Sequence, residues 1–176
     1  YGSFSADNLI VGQKGYGELN LNKTAPYSIG SQRVSNTLII GGNGDNSTSG
    51  TGVVTLKDSA LNVNEVIVGN TGSGTLNLIS EDSENYLTEL WVNQISRGIN
   101  SSKSDIFLDG GEIGLDQQQS NLFANFTKDN KIAAGSKGVT FRIGNTETPD
   151  AIPVNVTINP NAVITGNMGK INITQE

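Results

Sequence analysis

Apolar residues along this chain come in short alternating bursts divided by glycine, asparagine and serine, and three of those bursts repeat one another. The first runs Asn8-Leu9-Ile10-Val11-Gly12, steps five residues to Gly17, and continues Glu18-Leu19-Asn20-Leu21. The third matches it closely, with Glu65-Val66-Ile67-Val68-Gly69, the same five-residue step to Gly74, and Thr75-Leu76-Asn77-Leu78. The second keeps both halves, Thr37-Leu38-Ile39-Ile40-Gly41 and Gly52-Val53-Val54-Thr55-Leu56, but sets its glycines eleven residues apart. Six residues are inserted between two strands.

Gly12, Gly41 and Gly69 fall 29 and 28 residues apart, inside the window that marks solenoids and other repeat arrays. The repeats lie near 8–21, 36–56 and 64–79, and a degenerate copy spans 90–111. In that copy Leu90-Trp91-Val92 stands for the apolar triplet, Asn93 for its glycine, and Ile106-Phe107-Leu108-Asp109-Gly110-Gly111 for the second half. Alternation in Thr75-Leu76-Asn77-Leu78 turns both leucines to one face, so each strand is half-buried. One unit cannot bury that face alone; stacked copies supply the ladder hydrogen bonds and a continuous narrow core. Propeller blades need four strands and more residues, so the spacing predicts an all-β fold, a parallel β-helix in which residues 1–176 form one segment of a longer array. Leu9/Val11, Leu38/Ile40 and Val66/Val68 are expected to stack in register facing inward, and residues 42–51 and 80–89 to project as loops. Gln117–Phe126 alone carries helix-like spacing, through Leu122, Phe123 and Phe126, and predicts a short helix covering one side of the core.

The same residues carry a resemblance. The Ile-x-Val-Gly and Gly-Thr-Leu-x-Leu pattern at 9–21, 38–56 and 66–79, with Ile106-Phe107-Leu108-Asp109-Gly110-Gly111 and the later segments Ile132–Gly135, Val139–Phe141, Val156–Ile158 and Ile164–Ile171, resembles the repeat of passenger domains of autotransporter (type V secreted) bacterial proteins. That resemblance covers nearly the whole chain and implies a right-handed parallel β-helix, a bacterial cell-surface or secreted location, and virulence-associated work by adhesion, aggregation or host-factor binding. It brings no catalytic residue with it. The partners it implies are a host receptor, matrix protein or glycan, or a second bacterium through self-association. A carbohydrate-active β-helix enzyme and a purely structural stalk are the alternatives.

Composition narrows the chemistry. Hydrophobic residues make up only 35% of the chain, which fits a thin core rather than a globular one. There is no His and no Cys, so the histidine-dependent triads, thiol nucleophiles, disulfides and zinc-thiolate sites are excluded. Absence of Cys also suits a chain that crosses an oxidising compartment unfolded. Eleven Lys+Arg against seventeen Asp+Glu give a net charge of −6, which opposes nucleic acid and anionic lipid, and no apolar run is long enough for a membrane span. Six Asn-x-Ser/Thr matches, at Asn22, Asn46, Asn100, Asn125, Asn155 and Asn172, are what a chain with 22 Asn produces by chance.

Binding candidates are therefore the loops. Asn43, Asp45 and Asn46 lie in a Gly-Gly-Asn-Gly-Asp-Asn run that imitates one calcium β-roll turn, but ions in such rolls are shared between stacked copies and this run is single, so no metal and no cofactor is expected. Glu81, Asp82 and Glu84 put three carboxylates into a polar loop, with Tyr86 beside them. Asp109, Glu112 and Asp116 form a second acidic patch. Paired carboxylates on neighbouring rungs are the geometry a glycosidase needs, whereas solvated charge is the ordinary state of such loops. Trp91 reads as core filler or loop anchor, with stacking on a sugar as the functional alternative.

Overall fold

The computed structural model describes residues 3–23, 32–43, 45, 49–82, 87–115, 119–144, 155–166 and 171–175. Among the described residues there are fifteen strands, β1 (Ser5–Val11), β2 (Tyr16–Asn22), β3 (Gln32–Ile40), β4 (Thr51–Lys57), β5 (Ala60–Val68), β6 (Ser73–Ile79), β7 (Glu89–Ser96), β8 (Lys103–Asp109), β9 (Glu112–Leu115), β10 (Gln119–Ala124), β11 (Lys131–Ala134), β12 (Val139–Ile143), β13 (Asn155–Ile158), β14 (Ile164–Gly166) and β15 (Ile171–Gln175). No helix occurs among the described residues.

Up to β8 the strands alternate between two sheets, and beyond it two strands enter sheet A for each one in sheet B. Sheet A runs β1-β3-β5-β7-β9-β12-β15 with β10 and β13 branching from β7, and sheet B runs β2-β4-β6-β8-β11-β14. Every pairing is parallel. As far as β7 each strand pairs with the strand two places on, and from β8 with the strand three places on, so the chain winds as successive coils and the fold is a parallel β-helix.

The branch in sheet A has a local cause. Strands β3, β5 and β7 are eight or nine residues long, and β3 carries a register shift between Val34 and Thr37. Each is thus two short strands bent at the middle. In the next coil the bend opens: β9 pairs with the first half of β7 and β10 with its second half.

Inward columns form the core. Leu9, Leu38, Val66, Ile95 and Leu122 succeed one another coil by coil, with Ile158 following at the exposed end of the column, as do Val11, Ile40 and Val68. Opposite them stand Leu19, Val54, Leu76, Ile106, Ile132 and Ile164. The expected stacking of the three repeats is therefore met, with Leu38, Ile40, Val66 and Val68 fully buried. At roughly 0.8 kcal/mol per buried methylene, these columns are the main favourable term for a fold with so few apolar residues.

The five-residue glycine step follows from sterics at the turn. Gly69 has φ +69°, and a Cβ on Gly74 would stand 2.1 Å from the Gly69 nitrogen. Only hydrogen fits at Gly74, and a left-handed backbone at Gly69 favours glycine. In the following coil Ser104 takes the Gly74 place, and its hydroxyl donates to Val68 O at 2.7 Å.

Four expectations change. The fourth copy is offset: Leu90–Val92 pairs with Leu61–Val63, and Ile95 is the partner of Val66, so Gly98 rather than Asn93 is the turn glycine, bonding back to Gly69 O at 2.9 Å. The segment expected to be a helix over Gln117–Phe126 is strand β10 over Gln119–Ala124, followed by a turn in which Phe126 N donates to Phe123 O at 3.1 Å. Phe123 at φ +62° and Asn125 at φ +66° form a bulge, which turns the adjacent Leu122 and Phe123 both inward, something a regular strand cannot do. Finally, Trp91 lies on the outer face of sheet A between the buried Leu90 and Val92, not in the core. The loops are also shorter than expected, since Thr51 and Glu89 already begin strands.

Candidate functional site

The acidic loop after β6 is tied into the corner between the sheets. Asp58 follows β4 with φ +48° and is fully buried. Its Oδ1 accepts the backbone N–H groups of Glu81 at 2.7 Å and Asp82 at 3.0 Å, one coil further on. The Asp58 N–H donates to Thr88 Oγ1 at 2.8 Å, and that hydroxyl donates to Ile79 O at 2.6 Å, so both ends of the loop converge on one buried residue. Lys57 Nζ then meets Glu81 at 2.8 Å and Lys23 Nζ meets Asp82 at 3.7 Å. Lys137 reaches Ser80 O from two coils away. Glu81 and Asp82 are thus held against cations of neighbouring coils, an arrangement that fixes a loop. Glu84 and Tyr86 lie outside the described residues.

In the loop after β3, Asp45 N donates to Asn43 Oδ1 at 3.0 Å, the local turn that asparagine favours. Asn46 lies outside the described residues. Among the described residues, no three Asp or Glu side chains converge as a metal site.

The second acidic patch is divided between the sheets. Asp109 ends β8 on sheet B and its Oδ1 accepts Lys137 N at 2.9 Å. Glu112 begins β9 on sheet A and pairs with Arg142 at 3.4 Å. Asp116 lies outside the described residues.

Outward-facing columns supply the remaining chemistry. On sheet B they are mostly polar: Tyr16, Thr51, Ser73 and Lys103 in one column, and Asn20, Thr55, Asn77, Phe107, Ala133 and Thr165 in another. Asn77 Nδ2 donates to Thr55 Oγ1 at 3.2 Å across a coil step. At the first described coil Glu18 accepts from Asn20 Nδ2 at 2.7 Å and from Tyr16 Oη at 3.0 Å. Those two bonds hold the Glu18 carboxyl below its ordinary range, Asn20 contributing most, and the Glu18 bond raises the Tyr16 phenol. Where the column passes from Phe107 to Ala133, an open trough of about 670 Å³ forms beside the ring, lined by Ser136, Thr165, Gly135 and Gly166 and without an ionisable side chain.

Sheet A presents a different set. Outward from its first half stand Asn62, Trp91, Gly114 and Arg142 in one column and Glu89, Glu112 and Thr140 in the next. The Arg142 guanidinium is 5.4 Å from the Trp91 ring centroid. Further round, Arg97 donates to Asn125 O at 3.3 Å and Ser101 O at 3.2 Å while Asn125 Nδ2 returns a bond to Arg97 O at 3.1 Å, which closes the corner between β7 and β8.

The Glu89, Glu112 and Arg142 grouping was not legible in the residues one by one. Its signal is the alternation of β7 and β9, readable only once their register is known. Comparison with protein-family models, with curated proteins and with solved structures found no match.

Proposed function

We propose that this chain is a non-catalytic binding segment of a secreted or cell-surface bacterial protein of the autotransporter passenger type, acting in adhesion, aggregation or host-factor binding. One observation carries the reading: the outer face of sheet B repeats hydroxyl and amide side chains in register over successive coils, as in Asn20, Thr55 and Asn77. Each offers donor and acceptor, and each such bond is worth roughly 0.5–1.5 kcal/mol net. Many modest contacts along a rigid ladder give affinity that no single one supplies, and copies on neighbouring surfaces multiply it through effective concentration.

The acidic loop supports the same reading. Glu81 and Asp82 face lysines rather than each other, so a hydrolytic pair is not built there. The protein's partner is a host receptor, matrix protein, glycan or a second bacterium, and its charge of −6 sets it against polyanions.

The experiment is binding of purified protein to host cells, matrix proteins and bacteria over a salt series, with product analysis on polysaccharides. Saturable binding that survives moderate salt without product is the expected result. Turnover of a polysaccharide, abolished by replacing one Asp or Glu, overturns the reading.

A further inference from the structure

We infer that the open trough beside Phe107, on the outer face of sheet B, is a binding site for a neutral saccharide. The inference rests on the non-catalytic binding reading and deepens it by naming a ligand class and a place for it.

Alternation in β8 turns Ile106 and Leu108 into the core and Phe107 outward, into a column whose earlier members are the polar Thr55 and Asn77. The ring is 37% exposed. Among the described residues no second ring and no cation lies over it, and the edge-to-face contacts of Phe123 with Phe126 and Phe141 are inside the core. In the next coil its place is taken by Ala133, and in the one after by Thr165, so the surface steps down on one side of the ring. That step is the trough of about 670 Å³, with Ala133 and Gly135 along it. A free aromatic face beside a floor of small residues leaves room for a ligand ring to stack.

The rim is polar and held in place. Gly135 N donates to Leu108 O at 2.7 Å, Gly138 N to Gly135 O at 3.1 Å and Lys137 N to Asp109 Oδ1 at 2.9 Å, which fixes the turn that carries Ser136. Ser136 is exposed at the trough, and its hydroxyl has no partner among the described residues. Thr165 Oγ1 donates to Ile132 O at 3.3 Å, and its oxygen remains able to accept. The Asp109 carboxylate is engaged by the turn, so it puts no charge into the trough, and none of the lining side chains is ionisable. A charged ligand therefore finds no counter-charge. A pyranose matches what is present: its apolar C–H face packs on the Phe107 ring, and its hydroxyls donate to Thr165 and exchange hydrogen bonds with Ser136.

The intact chain is titrated by calorimetry with cellohexaose, mannohexaose and chitohexaose, and in a parallel arm with heparin. Saturation-transfer NMR, with irradiation of the protein's aromatic protons, reads which sugar protons lie against a ring. The expected result is saturable binding of at least one neutral oligosaccharide, little altered by salt, with transfer to its C–H groups. Phe107→Ala weakens binding about tenfold or more, and Ala133→Leu, which fills the trough and leaves the ring, weakens it as well, with circular dichroism unchanged. Should F107A fail to fold, F107Y keeps the ring and is expected to bind nearly as well, while A133L still loses affinity. Absence of binding to all three neutral sugars, binding to heparin alone, or binding undiminished in A133L overturns the site. Self-association that A133L abolishes, with no sugar bound, assigns the trough to a second copy and overturns it too. Adhesion to cells that persists unchanged in A133L overturns this site while leaving the broader binding reading standing. Release of shorter sugars overturns the non-catalytic reading instead.

Discussion

Trp91 and Gly114 occupy successive places in one outward column of sheet A, and the indole fills the space that a side chain at Gly114 would need. Gly in a strand interior is entropically unfavourable and leaves backbone uncovered. Here the neighbouring ring covers it. Gly114→Ala is expected to lift the indole off the sheet, loosen its approach to Arg142 and redden its emission. An emission maximum identical to the unsubstituted protein contradicts that packing.

How far the sequence alone leads is clear from that pair. The inward columns were legible because alternation and a 28–29-residue repeat determine both which face is buried and which coil lies next. Three things were not. Asn93 looked like a turn residue because it follows an apolar triplet, yet the long strands of sheet A bend at their middle, so two triplets per coil compete for one alignment. Leu122, Phe123 and Phe126 mimic helical spacing because a bulge at Phe123 turns neighbouring residues to the same side. The outer cluster around Trp91 draws on four coils, and single-residue chemistry carries no information on which coils touch. The acidic loop was located correctly, but its lysine partners come from coils 24 to 59 residues away.

The core columns predict an asymmetric response to substitution. Leu76 is fully buried between Val54 and Ile106 in sheet B. Leu76→Asp places an unpaired charge there and is expected to cost several kcal/mol, on the order of 3–5. Thr75→Lys, one residue away on the outer face and opposite Asp105, is expected to change stability by about 0.5 kcal/mol or less. Thermal and denaturant unfolding of the two variants checks both. Equal effects at the two positions contradict the assigned faces.

Asp58 predicts a distinction between shape and charge. Its Oδ1 takes two backbone N–H groups, and its φ of +48° is one that asparagine also adopts readily. Asp58→Asn keeps an acceptor oxygen and the backbone angle. Asp58→Ala removes the acceptor and leaves two donors of the loop unpaired, which costs about 1–3 kcal/mol. The expected order of stability is unsubstituted, then D58N, then D58A, with hydrogen exchange at Glu81 and Asp82 accelerated mainly in D58A. Exchange at those two amides that is unaltered in D58A contradicts the clamp.

The Tyr16, Glu18 and Asn20 trio on the first described coil predicts a pH dependence with a definite sign. Asn20 and then Tyr16 donate to Glu18, which lowers its folded carboxyl below the ordinary value of 4.5, with slight desolvation acting the other way. A group depressed in the folded state adds stability above its unfolded value and loses it as pH falls through the folded one. The bonds therefore contribute at neutral pH and fade below about pH 4.5. For Tyr16 the shift is upward from 10.0, led by its bond to Glu18, so its share is present below that value and lost as pH rises through the folded one. Both side chains are exposed, so the effect on melting temperature is small and the direct measurement is better. Carbon-detected NMR titration of the Glu18 carboxyl is expected to give a midpoint below 4.5. Asn20→Ala is expected to raise that midpoint more than Tyr16→Phe, because the amide bond is both the shorter and the stronger contributor. The reverse order, or a midpoint unmoved by either substitution, contradicts the hydrogen bonding assigned to this coil.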